Sequence, residues 1–215
     1  MLEIILKGRI MMVPLIACSI MAIAVLIDRY LAFRKHQRID TRSLRAKVLS
    51  LLEKGEIEEA ANLCAQTPGP VPAVLLVGMQ TIAKHRRHVD RKDALAVVVK
   101  EAMQDYSLHA MGAVEKRFGV LSTVGNAAPL LGMTGTVTGM INSFAQIADA
   151  GGIQIADVAV GISEALITTA AGLIIALVAV IPYNWFTARA DEVNLEIEET
   201  TSELVDFLAT RDLPA

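Results

Sequence analysis

Glu164 is the only ionisable side chain between Val158 and Ile181, a run otherwise made of aliphatic, small and hydroxyl residues. A carboxylate in hydrocarbon costs several kcal/mol, so it must face a polar pathway, pair with a partner or stay protonated. It has polar company. Thr168 lies one turn below it on the same helical face, and Thr169 lies about 140° around. An earlier uncharged run supplies Thr136 and Asn142. If the two runs are antiparallel helices, Asn142 and Glu164 fall in one layer and Thr136 and Thr169 in a second, about two turns apart at most. Hydroxyls donate and accept without fixed charge, which suits the passage of a proton. The plainer reading is that each threonine bonds back to its own helix and that Glu164 is a neutral acid joining helices. No nucleophile, base and orienter can be assembled from these residues, which argues against an enzyme.

The elements that must position these groups follow from charge and hydropathy. The 215 residues are 53% hydrophobic and 4% aromatic, with a net charge of −3 and a mean hydropathy of +0.48. Between Phe118 and Ala188 the acidic and basic residues are Asp149, Asp157 and Glu164 alone. This is the composition of a membrane protein. Residues 1–33 hold an N-terminal segment and a first span, whose core Ile10–Ile27 carries no charge over 18 residues. Ala22-Ile23-Ala24 lies inside that run and Arg29, Arg34, Lys35 and Arg38 follow it, so it is expected to remain as an anchor and not to be cleaved as a leader. Residues 34–117 hold 15 of the 20 Lys and Arg residues, which places this helical insert in the cytoplasm. Within it, Gly55 and Pro68-Gly69-Pro70-Val71-Pro72 read as breaks and His85-Arg86-Arg87-His88 as a loop. Arg91–Lys116 reads as a long helix leading directly into the membrane.

The second span covers 118–148, about 46 Å if wholly helical, so it must tilt or project. A link over 149–157 without Lys or Arg belongs outside, and the third span, 158–187, returns inward to Arg189. An amphipathic cytoplasmic helix over 188–215 completes an all-α protein with three transmembrane helices, the second and third long ones extending into a helical cytoplasmic domain. The N-terminus is then periplasmic and the C-terminus cytoplasmic.

Gly132, Gly135 and Gly139 on the second span and Gly161 and Gly172 on the third, with Ala165 and Ala176, are spaced for close helix packing. The order G-x-x-G-x-x-x-G lacks the following Lys and the preceding strand of a phosphate loop. His85 and His88 lack a third convergent ligand, and Cys18 and Cys64 lack metal or disulfide spacing. No metal, cofactor or nucleic acid is expected.

The stretch Ala128-Pro129-Leu130-Leu131-Gly132-Met133-Thr134-Gly135-Thr136-Val137-Thr138-Gly139-Met140-Ile141, followed by Ser143-Phe144, resembles the second-span signature of the MotA/TolQ/ExbB proton channel family. Gly161-Ile162-Ser163-Glu164-Ala165-Leu166-Ile167-Thr168-Thr169-Ala170-Ala171-Gly172-Leu173, then Ile181-Pro182 and Tyr183-Asn184, resembles its third span. Asp28-Arg29, Gly69-Pro70 and Glu101-Ala102 extend the likeness more weakly. Three spans point to the ExbB and TolQ branch, ExbB first, because MotA-like stators have four. The resemblance implies a homopentamer in the bacterial inner membrane around two copies of an ExbD- or TolR-like partner, each with one helix bearing an aspartate. It also implies that Thr136, Glu164 and Thr169 line the pore and that the proton motive force drives envelope work. Met133 and Thr134 stand where the family usually has leucine or phenylalanine. Two other classes remain open: a non-conducting scaffold for partner helices and a small-solute transporter, the latter disfavoured by the lack of repeats.

Overall fold

The computed structural model describes residues 9–36, 40–85, 92–149 and 155–211. Among them there is no strand. The helices are α1 (Arg9–His36), α2 (Thr41–Glu53), α3 (Ile57–Gln66), α4 (Pro70–His85), α5 (Lys92–Val114), α6 (Phe118–Asp149) and α7 (Ile155–Thr210). They divide into two compact units, one made of residues 1–30 and 117–186 and the other of residues 31–116 and 187–215.

The first unit contains α1 as far as Tyr30, α6 and the N-terminal part of α7. Two helices are long and apolar enough to cross a bilayer: α1 over Met11–Arg34, and α7, whose qualifying stretch begins at Ala159. Large apolar side chains stand exposed along both, including Val13, Ile20 and Ile27 on α1 and Leu166, Ile174 and Ile181 on α7. In a water-soluble fold these would be covered, whereas lipid accepts them. The 32-residue α6 is diluted by Gly, Thr, Ser and Asn and falls short on hydropathy alone. Its pairing is nevertheless clear. A Cβ on Gly135 would sit 3.6 Å from the Met11 Cβ, and Arg117 donates to Asp28 at 2.9 Å. The two contacts are separated by about 26 Å along each helix, so α1 and α6 run antiparallel over nearly the depth of a hydrocarbon core.

The second unit is held as a soluble helical domain is held. Asp40 caps α2 by accepting from the Ser43 amide at 3.2 Å. Leu44, Val48 and Leu52 on α2 form one core with Val74, Met79 and Ile82 on α4, Val99 and Met103 on α5, and Ile197, Leu204 and Leu208 on the tail of α7. At its margin Arg45 reaches Glu199 at 3.4 Å and Glu203 at 3.6 Å.

Three boundaries differ from the sequence expectation. α5 does not continue into the membrane: it ends at Val114, and Arg117 adopts φ 71° before α6 begins. That conformation is uncommon for a side-chain-bearing residue, and the Arg117 guanidinium pairs there with the carboxylate of Asp28. The proline-rich break is shorter than expected, because α4 starts at Pro70; a first-turn proline lacks only an amide hydrogen that a helix start leaves unused. The polar segment after residue 187 is not a separate helix, since α7 continues unbroken through 56 residues. A change from apolar to polar composition alters the surroundings of a helix without interrupting its backbone bonds. His85 closes α4 and faces the Thr81 carbonyl at 3.1 Å; residues 86–91, including His88, and 150–154 of the outer link lie outside the described residues.

Candidate functional site

α6 and α7 meet along a seam in which glycine removes the side chain from one helix wherever the other helix comes closest. From the start of α6 onward, Phe118 stacks on Phe186 with centroids 5.9 Å apart. A Cβ on Gly125 would lie 2.5 Å from Val180 Cγ2, one on Gly172 2.5 Å from the Ala128 carbonyl oxygen, and one on Gly132 3.0 Å from the Thr169 Cα. Gly135 faces the Thr168 methyl at 2.5 Å and Gly139 faces the Ala165 Cβ at 2.9 Å, while Gly161 faces Ser143 toward the end of α6. All five glycines singled out from the sequence therefore lie in this seam. The backbones approach so closely that dispersion contacts and hydrogen bonds can hold the pair where hydrophobic burial supplies nothing.

Each polar candidate takes a definite place. Thr168 is 2% exposed and its hydroxyl donates to the Glu164 carbonyl at 3.1 Å; it belongs to the packed seam, with no free surface toward a lumen. Thr169 donates across the helices to the Gly132 carbonyl at 2.9 Å. Thr136 is half-buried and bonds back to the Met133 carbonyl at 2.6 Å. Glu164 is half-buried, and Asn142 is exposed.

Two antiparallel helices viewed from one end turn in opposite senses. Stepping back one residue from a facing pair therefore leads both chains to the same flank of the seam, and stepping forward leads both to the other flank. Forward from Gly135 and Thr168 come Thr136 and Thr169. Back from Gly139 and Ala165 come Thr138 and Glu164. The structure thus brings Thr136 and Thr169 together on one flank and sets Glu164 on the opposite one. Among the described residues no three His, Cys, Asp or Glu side chains form a metal set.

The sequence model of the MotA/TolQ/ExbB proton channel family matches residues 68–199. The chain belongs to that family. The biopolymer transport protein ExbB of Pseudomonas putida is 30% identical over 176 residues, covering 80% of this chain and 52% of the relative. The present chain thus spans about half of that relative's length. The Tol-Pal system protein TolQ of Pseudomonas aeruginosa is 30% identical over 185 residues, 85% of this chain and 79% of the relative. ExbB of Salmonella typhimurium is 27% identical over 210 residues, 95% of this chain and 82% of the relative. The matched region of this family member contains the whole α6/α7 seam.

Sequence reasoning missed Ser143 and Thr138. Ser143 is 6% exposed and donates to the Gly139 carbonyl at 3.0 Å, closing the seam against Gly161. Thr138 donates to the Thr134 carbonyl at 2.9 Å and reaches the Gly135 carbonyl at 3.2 Å. The signal for Thr138 was present as the four-residue spacing of Thr134, Thr138 and Asn142.

Proposed function

We propose that this chain is an ExbB-like subunit of a proton-driven motor in the bacterial inner membrane, with α1, α6 and the first part of α7 as three spans. Support for α6 as a span comes from its antiparallel pairing with two apolar helices and from its lack of charge between Phe118 and Ala148. In this reading the chain forms a homopentamer around two copies of an ExbD- or TolR-like partner, each with one membrane helix bearing an aspartate. Its N-terminus is periplasmic, its C-terminus is cytoplasmic, and it does its work without catalytic chemistry, metal or cofactor.

The observation that carries the reading is Glu164: one acid at the edge of a glycine seam, in an otherwise uncharged stretch of α7. Thr136 and Thr169, on the other flank, form the hydroxyl layer through which a proton reaches the partner aspartate. Asn142 stands at the outer mouth near the level of Glu164, and Thr168 holds the helix pair together. A proton crossing the membrane yields about 2.3 kcal/mol per 100 mV, enough to bias conformational steps of a few kcal/mol. Glu164 acts as the electrostatic gate.

One observation favours a second reading, a non-conducting scaffold: the Thr169 hydroxyl is already engaged by Gly132. Glu164→Gln distinguishes them. Reconstituted into liposomes with its single-span partner, the variant retains its assembled size and loses proton uptake, read with an entrapped pH dye, if the motor reading is right. Undiminished uptake refutes it. Native mass spectrometry of the complex tests the five-to-two ratio.

A further inference from the structure

We propose that a cavity in the second unit binds the headgroup of a zwitterionic phospholipid whose cation is a primary ammonium, with Glu196 as the residue that takes the ammonium. The inference rests on the placement of this chain in a membrane and not on proton flux. The cavity measures about 170 Å³, has apolar walls at Phe33, Pro72 and Val193, and carries Arg189, Glu192 and Glu196 on its α7 side. All six belong to one compact unit.

Its depth suits a headgroup. Phe33 stands one residue before the end of the apolar stretch Met11–Arg34, and Arg189 is the first charged residue of α7 after Glu164. Exposed Tyr30 and Trp185 lie about one turn before them on the same two helices, as aromatic side chains do at a bilayer surface. The cavity therefore sits at the level where hydrocarbon gives way to headgroups.

The order of charge selects the ligand. Arg189, Glu192 and Glu196 follow at i, i+3 and i+7, so they share one face of α7 and reach about 10 Å away from its apolar stretch. Arg189 is paired with Glu192. Glu196 is half-buried, and among the described residues no ion pair or side-chain hydrogen bond engages its carboxylate. An acid set beside Phe33, Pro72 and Val193 gains from a cation that brings its own N–H donors. Positive charge nearest the hydrocarbon and negative charge beyond it complement a headgroup whose phosphate lies nearer the acyl chains than its ammonium. An anionic headgroup would meet two carboxylates with no cation to offer them, and a quaternary ammonium has no N–H to donate. The side chains of Lys35 and Arg38 lie outside the described residues.

The test is native mass spectrometry of the full chain, released from detergent after incubation with phosphatidylethanolamine, phosphatidylglycerol and phosphatidylcholine of identical acyl chains. The parent is expected to retain the ethanolamine lipid about tenfold more than either other lipid, and Glu196→Gln to lose that preference. Glu198→Gln, which alters an acid of the same helix outside the cavity, is expected to keep it. Val193→Phe fills the cavity and serves as the second variant, with the same loss expected. Equal retention of the three lipids, a preference for the glycerol lipid, or a preference that survives both Glu196→Gln and Val193→Phe overturns the proposal. So does tighter retention of a lysine-rich peptide than of any lipid, lost in Glu196→Gln, which would assign the cavity to a basic protein partner. Because neither a partner nor a proton gradient is used, this test can fail while the Glu164→Gln uptake test succeeds, and the reverse.

Discussion

The membrane unit and the second, four-helix-and-tail unit of this chain are both helical, but they are held together by opposite means. In the second unit large side chains fill the space between helices, with Leu52, Met79 and Ile82 fully buried. In the membrane unit the space is abolished: Gly132, Gly135, Gly139, Gly161 and Gly172 bring two backbones into contact, and one hydroxyl crosses between them. The difference follows from the solvent. Water rewards burial of aliphatic area, whereas lipid is as apolar as leucine and leaves packing and hydrogen bonds to decide.

Adding a side chain to the seam should therefore do the most harm. Gly172→Leu drives carbon into the Ala128 carbonyl, and a loss of more than about 3 kcal/mol is expected, seen as collapse of the assembled peak in detergent gel filtration. Removing a side chain should harm the other unit. Leu52→Ala is expected to cost about 2–5 kcal/mol by leaving a cavity, and Cys64 provides the readout. Burial pushes its thiol up to about 11, so it should resist alkylation at pH 8 in the parent chain and react in Leu52→Ala. As pH rises from about 9 toward 11, the unfolded chain releases this thiol proton while the folded chain keeps it, so the second unit loses stability across that window.

Two smaller effects sharpen the contrast. Gly112 on α5 has nothing within 4 Å of a would-be Cβ. Gly112→Ala should thus raise the midpoint of thermal unfolding, by about 0.5–1 kcal/mol of added stability, where the same change in the seam would lower it. Thr169→Val removes the bond to Gly132 while keeping the volume, and is expected to cost only about 0.6 kcal/mol in a membrane helix pair, measured by steric trapping or unfolding in mixed micelles. A loss several times larger would show that the hydroxyl, and not the glycine contacts, sets the strength of the seam.

Much of this was legible in the residues. Runs free of charge located α1, α6 and the membrane part of α7, and the small-residue spacing named the seam. What escaped was geometry that composition does not encode. Thr168 and Thr169 are neighbours in sequence, yet one is sealed in the seam and the other reaches across it; only the register against Gly132 and Gly135 separates them. Layers counted by depth put Asn142 with Glu164 and Thr136 with Thr169, but depth does not say on which flank of the seam a layer lies. The opposite turning of antiparallel helices places Glu164 on the far flank. The break at Arg117 was hidden because arginine is an ordinary helix residue, and its side chain pairs with Asp28, 89 positions away.

That ion pair also determines how the chain is threaded. Since Asp28 and Arg117 touch, the segment between them begins and ends at one doorway in the first unit. Bridging that doorway with a few residues would be sterically simple, so excision of the intervening module is geometrically feasible. The bare survivor would nonetheless be sticky, because the far end of α7 would keep Ile197, Leu204 and Leu208 with nothing left to cover them.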